Sequence, residues 1–404
     1  MEPKIRIEDY NYNLPEERIA KYPLEQRDIS KLLIFKDGVI SESKFFNLAE
    51  ILPSGSLMIF NNTKVVPARL FFRKPTGAGI EIFCLEPHSP ADYNLSFASR
   101  ASCEWSAVIG NAKRWKDGTV YFVCNDNAQI KELNLRAELV EKSQNKASVV
   151  RFLWDGGITF SEVLDLCGRI PIPPYLKRDA ESMDIERYQT LYARIKGSVA
   201  APTAGLHFTD RVIEEIDARG IERMNLCLHV GAGTFLPVKS EFISGHTMHT
   251  EPFAVTLNFL ERLYNTLEKR KVIAVGTTSA RSLESLYHIG VHCIEHDNPF
   301  FVTQWEPYNK MRNYSARESV GALISYMKEN SLEIFKAKTS IIIVPGYKFR
   351  IVDVLVTNFH QPQSTLLLLI SAFTGGERWR SIYEYALSHD FRFLSYGDSS
   401  ILFR

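Results

Sequence analysis

Lys271-Val272-Ile273-Ala274-Val275-Gly276-Thr277-Thr278-Ser279-Ala280-Arg281 decides the fold of this chain. An apolar run without polar alternation reads as a strand buried on both faces. Glycine then breaks the strand, and a hydroxyl-rich turn hands over to a helix beginning near Ala280. The turn offers free amide N–H groups, two or three hydroxyls and an arginine, a set that suits a carboxylate or a phosphate. Simple helix capping by Thr278 or Ser279 explains the same residues equally well.

The pattern repeats on either side. Residues 210–219 read as a helix with Thr209 or Asp210 as its cap and Gly220 just past its end, followed by a strand over 224–230. Residues 351–357 form another expected strand, followed by Asn358-Phe359-His360-Gln361-Pro362-Gln363 and a helix capped by Ser364. Strands that hand over to helices imply a largely parallel or mixed sheet with ligands at the carboxyl ends of its strands. Further upstream, Pro15-Glu16-Glu17-Arg18-Ile19-Ala20 opens a short helix and residues 56–60 a short strand.

Between 69 and 153 the texture changes. Short alternating runs at 80–85, 105–109, 119–124 and 147–153 are separated by Gly, Asp and Asn turns, the pattern of a small antiparallel barrel or sandwich. The expected fold is therefore α/β: a mixed-sheet main domain with an inserted antiparallel β-barrel. Residues 1–68 and 154–404 form the main domain and residues 69–153 the insert.

The length of 404 residues favours two or three domains. A hydrophobic share of 45% and a charged share of 24% are ordinary for a soluble globular protein, and the net charge of +1 neither favours nor excludes nucleic acid. The six cysteines are scattered without metal-ligand spacing, as in a reduced intracellular protein. The charged N-terminus lacks an apolar signal region, and the longest apolar candidate, residues 366–373, is too short for a bilayer. A cytoplasmic monomer is expected.

Two segments concentrate chemistry. Ala201-Pro202-Thr203-Ala204-Gly205-Leu206-His207-Phe208-Thr209 and Leu228-His229-Val230-Gly231-Ala232-Gly233-Thr234-Phe235 lack charge and are rich in Gly, Thr and His. Each of His207, His229 and His360 falls near an expected element boundary beside Gly, Thr or Asn, and together they point to one shared cleft. The lone Gly-x-Gly lacks the third glycine of a dinucleotide fingerprint. His246-x-x-His249-x-Glu251 sits in an irregular context without a third ligand, so no metal is expected and an acid/base set is the alternative. Basic tracts occur at 61–76, with Lys64, Arg69, Arg73 and Lys74, and at Lys113-Arg114-Trp115-Lys116, where an aromatic among cations suits phosphates and a stacked base.

Read together, these motifs resemble the S-adenosylmethionine:tRNA ribosyltransferase-isomerase family of queuosine biosynthesis. The resemblance is carried by Tyr12-Asn13-Leu14-Pro15-Glu16-Glu17-Arg18, Phe60-Asn61-Asn62-Thr63-Lys64-Val65-Val66-Pro67-Ala68-Arg69-Leu70, Gly168-Arg169-Ile170-Pro171-Ile172-Pro173-Pro174-Tyr175 and Glu186-Arg187-Tyr188-Gln189-Thr190. The two histidine segments, Met248-His249-Thr250-Glu251, Gly276 through Arg281, Pro345-Gly346-Tyr347, Thr357-Asn358-Phe359-His360 and Tyr396-Gly397-Asp398 continue it in order over nearly the whole chain. The chain departs from the family at Asn62, where Asp is common, and in the barrel, where Gly110-Asn111-Ala112-Lys113-Arg114 replaces a more basic run. It also departs at Lys338-Thr339-Ser340 and in an additional segment near 287–338.

The resemblance implies an α/β domain with an inserted barrel. It implies a reaction in which S-adenosylmethionine, as co-substrate, gives its ribosyl group to the 7-aminomethyl group of a deazaguanine at the tRNA wobble position. Adenine and methionine leave, and the ribosyl unit becomes an epoxycyclopentanediol. It implies acid/base roles for His207, His229, His249, Glu251 and His360. Substrate contacts fall to Arg187, Tyr188, Thr203, Thr277, Thr278, Ser279, Arg281 and Asn358, and tRNA phosphates to Lys64, Arg69, Lys113 and Arg114. A paralogue using another acceptor and a non-catalytic RNA-binding protein remain alternatives at this point.

Overall fold

The computed structural model describes residues 4–124, 127–143, 147–231, 238, 240–309 and 313–404. Its centre is a mixed sheet that holds ten strands among the described residues. The order across it is Phe301–Val302, Ile334–Thr339, Glu251–Thr256, Glu222–Leu228, Leu57–Asn61, Val272–Val275, Val354–Asn358, Ser399–Phe403, Lys31–Lys36 and Val39–Lys44. The four central strands, Glu222–Leu228 through Val354–Asn358, run parallel. Outside them the pairings are mixed: Phe301–Val302 runs parallel to Ile334–Thr339 and Lys31–Lys36 parallel to Ser399–Phe403, and the other outer pairs are antiparallel.

Alternation along Leu57–Asn61 shows why the sheet is covered on both faces. Leu57 and Ile59 join the cluster built on the helices Leu257–Thr266, Thr277–Glu295, Ala316–Glu329 and Thr365–Thr374. Met58 and Phe60 face the opposite way, against Val212 and Ile216 of the helix Asp210–Ala218. All five residues of the strand are buried, and a fully buried Leu, Ile, Phe or Met side chain contributes roughly 1.5–3 kcal/mol. The helix caps follow the sequence: Thr209 accepts from Val212 N–H and Ser364 from Leu367 N–H.

The second body is a closed six-stranded antiparallel barrel in the order Ser148–Leu153, Ser102–Gly110, Gly79–Ser89, Arg69–Arg73, Thr119–Phe122, Arg136–Glu141. Closure removes the sheet edges. Its interior is filled by Trp105, Trp115, Phe72 and Phe152, with Trp154 and Phe160 closing one end. Trp115 is fully buried and donates its indole N–H to Gly118 O. The aromatic among the cations of 113–116 is therefore a core plug and has no face for a base to stack on.

Two expectations are adjusted. The helix expected near Ala280 begins at Thr277, because Gly276 takes φ +89° and ends the strand at once. The additional segment near 287–338 is woven into the main body. It supplies the rest of the helix Thr277–Glu295, the helix Ala316–Glu329 packed on it, and edge strands Phe301–Val302 and Ile334–Thr339. Among the described residues no helix is long and apolar enough to cross a membrane, and Cys84, Cys103 and Cys167 are buried thiols.

Candidate active site

A cleft opens at the carboxyl ends of the parallel strands Val272–Val275 and Val354–Asn358. It is lined by Ala200, Ala201, Pro202, Thr203 and Ala204, by Val230, by Gly276, Thr277 and Thr278, by Thr357 through Gln361, and by Tyr175, Leu394 and Ser395. Its enclosed volume is about 90 Å³. That is well below the roughly 300 Å³ of the smallest ordinary ligand pockets, so it has room for only a small part of a ligand of that size.

The turn after Val275 forms the floor. Gly276 occupies the cap position of the helix Thr277–Glu295, and no side chain caps that helix. The first amide N–H groups of a 19-residue helix thus point out with its positive dipole end. The Thr278 and Ser279 hydroxyls are buried without any hydrogen-bond partner. Capping by these residues does not occur. A buried hydroxyl with no partner costs of the order of 1–3 kcal/mol, which a bound oxyanion accepting from it recovers.

His360 borders the same cleft, half-buried, with Nε2 3.0 Å from the Thr357 hydroxyl. Burial pulls its imidazole down to about 4, so it is neutral at pH 7 and able to take a proton. Thr203 and Asn358 line the cleft too. The Asn358 amide is committed: Nδ2 donates to Leu394 O at 2.8 Å and to Ser395 O, and Oδ1 lies 3.1 Å from His207 Nε2.

That arrangement settles His207. Because Asn358 Nδ2 faces two carbonyls, Oδ1 must accept, so His207 carries its proton on Nε2 and Nδ1 accepts from Ser30 Oγ at 2.9 Å. The ring is 4% exposed, packs on Phe45, and is held neutral by burial, down to about 4. It supports the cleft from below and does not line it.

His229 points elsewhere. Its ring stacks on Tyr93 of the inserted barrel at 4.1 Å and 9°, and its other flank meets Gly197. A Cβ on Gly197 would stand 2.3 Å from His229 Nδ1, so only glycine fits. Asp92, which caps the helix Tyr93–Ala98, also pairs with Lys336 of the main sheet at 3.1 Å. His229 is thus part of the joint between barrel and sheet, and burial lowers its imidazole to about 4.

The remaining expected residues spread out. Glu251 and Arg281 form a buried ion pair at 2.6 Å, and Arg281 Nε donates to Ile341 O, so neither lines the cleft. His249 is exposed at the surface. Arg187 donates to the backbone carbonyls of Leu24 and Glu25, and Tyr188 is fully buried against Tyr396. Of the expected tRNA contacts, Lys64, Lys113 and Arg114 are exposed, whereas Arg69 pairs with Glu81 at 3.2 Å and lies over Phe83. The turn-rich sequence after Gly231 lies outside the described residues through 237. Among the described residues no group of three or more metal-ligating side chains comes together.

Fold and cleft define a two-body α/β protein with a small polar opening at the carboxyl ends of its strands. A family model described as queuosine biosynthesis protein matches residues 7–402, and the chain belongs to that family. It is 37% identical over 402 residues to S-adenosylmethionine:tRNA ribosyltransferase-isomerase of Halothermothrix orenii, covering 98% of this chain and 100% of the relative. The protein of the same name from Desulfitobacterium hafniense is 38% identical, again over 98% of this chain and 100% of its own length. The solved S-adenosylmethionine tRNA ribosyltransferase of Thermotoga maritima is 25% identical, covers 98% of this chain and 99% of its own, and superposes with a TM-score of 0.47.

Proposed function

We propose that this chain transfers and isomerises the ribosyl unit of S-adenosylmethionine onto the aminomethyl-deazaguanine at the tRNA wobble position, releasing adenine and methionine. The reading is supported by the full-length match to relatives of that name. The observation that carries it locally is the uncapped helix start at Gly276–Thr278, with the unpartnered Thr278 hydroxyl, in the same cleft as a neutral imidazole.

In this reading the amides of Thr277 through Ser279 and the Thr278 hydroxyl hold the methionine carboxylate. The helix start attracts such an anion by about 0.3–1 kcal/mol at a surface and by up to about 2 kcal/mol when partly buried. Thr203 lines the same cleft. His360 takes the proton lost from the carbon beside the sulfonium, a role that needs an imidazole uncharged at working pH. Lys64, Lys113 and Arg114 receive tRNA phosphates, which position the RNA without reading its sequence. His207 and Asn358 keep the cleft floor in place.

The test is chromatographic. Purified protein with S-adenosylmethionine is expected to release adenine only when tRNA carrying the aminomethyl-deazaguanine is added, with a matching mass gain on the wobble nucleoside. Donor binding without release would point to another acceptor. No donor binding would overturn the reading.

A further inference from the structure

The reaction just proposed needs two proton-handling groups, and His360 accounts for one. Departure of adenine requires a proton or a hydrogen bond delivered to its ring. Tyr175 is a titratable side chain in the cleft that the reading above leaves without a role. It ends the stretch Pro173-Pro174-Tyr175, in a short 3-10 turn that brings the phenol to the cleft wall. Its hydroxyl lies 2.6 Å from Ser395 Oγ, across 220 residues of sequence.

The partner is itself fixed. Ser395 is 3% exposed, and its backbone carbonyl accepts from Asn358 Nδ2, which is locked in turn by His207 and Ser30. The buried chain Ser30–His207–Asn358 therefore ends on the backbone carbonyl of Ser395, the residue whose hydroxyl meets the Tyr175 phenol. This gives His207, an expected catalytic residue, its place below the cleft: through Asn358 it holds the group that faces it.

We propose that Tyr175 is the proton donor to the departing adenine and that Ser395 is the residue positioning it. This rests on the ribosyl-transfer reading. His360 deprotonates the carbon beside the sulfonium. The pair left there forms a double bond to the neighbouring ring carbon as that carbon's bond to the ring oxygen breaks. The oxygen's pair forms a carbonyl at the carbon that carries adenine, displacing the ribosyl bond to adenine. That bond breaks with its own pair remaining on the base. The Tyr175 proton passes to an adenine ring nitrogen, and the phenolate is restored by the proton that His360 took up. No further reactant is needed. Burial supports the division of labour, since it lowers His360 to about 4 and raises Tyr175 to about 12, leaving one an empty acceptor and the other a full donor at neutral pH.

The experiment compares the wild-type chain with Tyr175→Phe and Ser395→Ala in single-turnover adenine release, using substituted tRNA and two donors. One is S-adenosylmethionine and the other an analogue carrying 8-azaadenine, a base that leaves more readily as an anion. Release by the wild type tests the underlying reading separately. Tyr175→Phe is expected to slow adenine release by about 10²-fold or more while donor affinity stays within about twofold, and to lose much less with the analogue. Ser395→Ala, which retains the phenol, is expected to lose less than Tyr175→Phe with the same dependence on the donor. Equal losses with both donors, or wild-type rates in the two variants, would overturn the assignment.

Discussion

The turn at Gly276–Ser279 and the barrel connection at Gly110–Lys116 are both short polar clusters that follow a strand, and they do opposite things. In the turn, polar groups are buried and unpartnered: two hydroxyls have no partner and the helix has no side-chain cap. In the barrel connection, Lys113 and Arg114 stand in solvent while Trp115, the residue between them and Lys116, fills the barrel. The first is a short-range site whose strength comes from fixed geometry and exclusion of water. The second is a long-range electrostatic surface whose strength falls with salt. In the reading proposed above, the cleft holds the donor and the barrel holds the RNA.

The largest expected effect breaks the cleft side. His360→Gln is expected to lower the rate of adenine release by about 10²–10⁴-fold, measured at saturating donor and tRNA. The wild-type rate should stay level as pH falls from 7 and drop only near pH 4, where the depressed imidazole takes its proton. A free histidine, with an ordinary value near 6.5, would place the fall about two units higher.

Stability shares this sign. His207, His229 and His360 are all held neutral in the fold and charge more readily when it opens. The open chain therefore binds more protons between about pH 6.5 and 4, and folding weakens as pH falls through that window while remaining level above it.

The barrel side breaks differently. Trp115→Ala is expected to cost about 3–5 kcal/mol in the barrel, seen as faster amide exchange over residues 102–153, while donor binding by the sheet persists. Next in size, Thr278→Val removes one hydrogen bond to the carboxylate and is expected to weaken S-adenosylmethionine about tenfold by calorimetry. The smallest effect is expected from Lys113→Ala with Arg114→Ala. Affinity for tRNA should fall severalfold, and the slope of log affinity against log salt should shrink by roughly 0.7 for each lost phosphate contact.

Local chemistry was legible in the sequence where it is read along the backbone. The strand–turn–helix at 272–279, the Thr209 and Ser364 caps and the alternating barrel runs all follow from neighbouring residues. What lay beyond it were partners brought together from far apart. Nothing within the Gly168–Tyr175 stretch announces that Tyr175 meets Ser395, and nothing beside His229 announces the Tyr93 ring. A histidine at an element boundary carries no mark of which way its ring turns. Of the three grouped by that reasoning, only His360 lines the cleft, while His207 holds Asn358 from beneath and His229 joins the barrel. Glu284 was silent for the same reason: buried in mid-helix, it accepts from the backbone N–H groups of Arg350, Ile351 and Val352 and from the Tyr347 hydroxyl, all more than 60 residues away.

The most direct test of this division is calorimetric titration of S-adenosylmethionine into the wild type, Thr278→Val and the Lys113→Ala, Arg114→Ala double variant, without tRNA. The account predicts about tenfold weaker binding for the cleft variant and wild-type affinity for the barrel variant. Donor affinity unchanged in the first and lost in the second would contradict it.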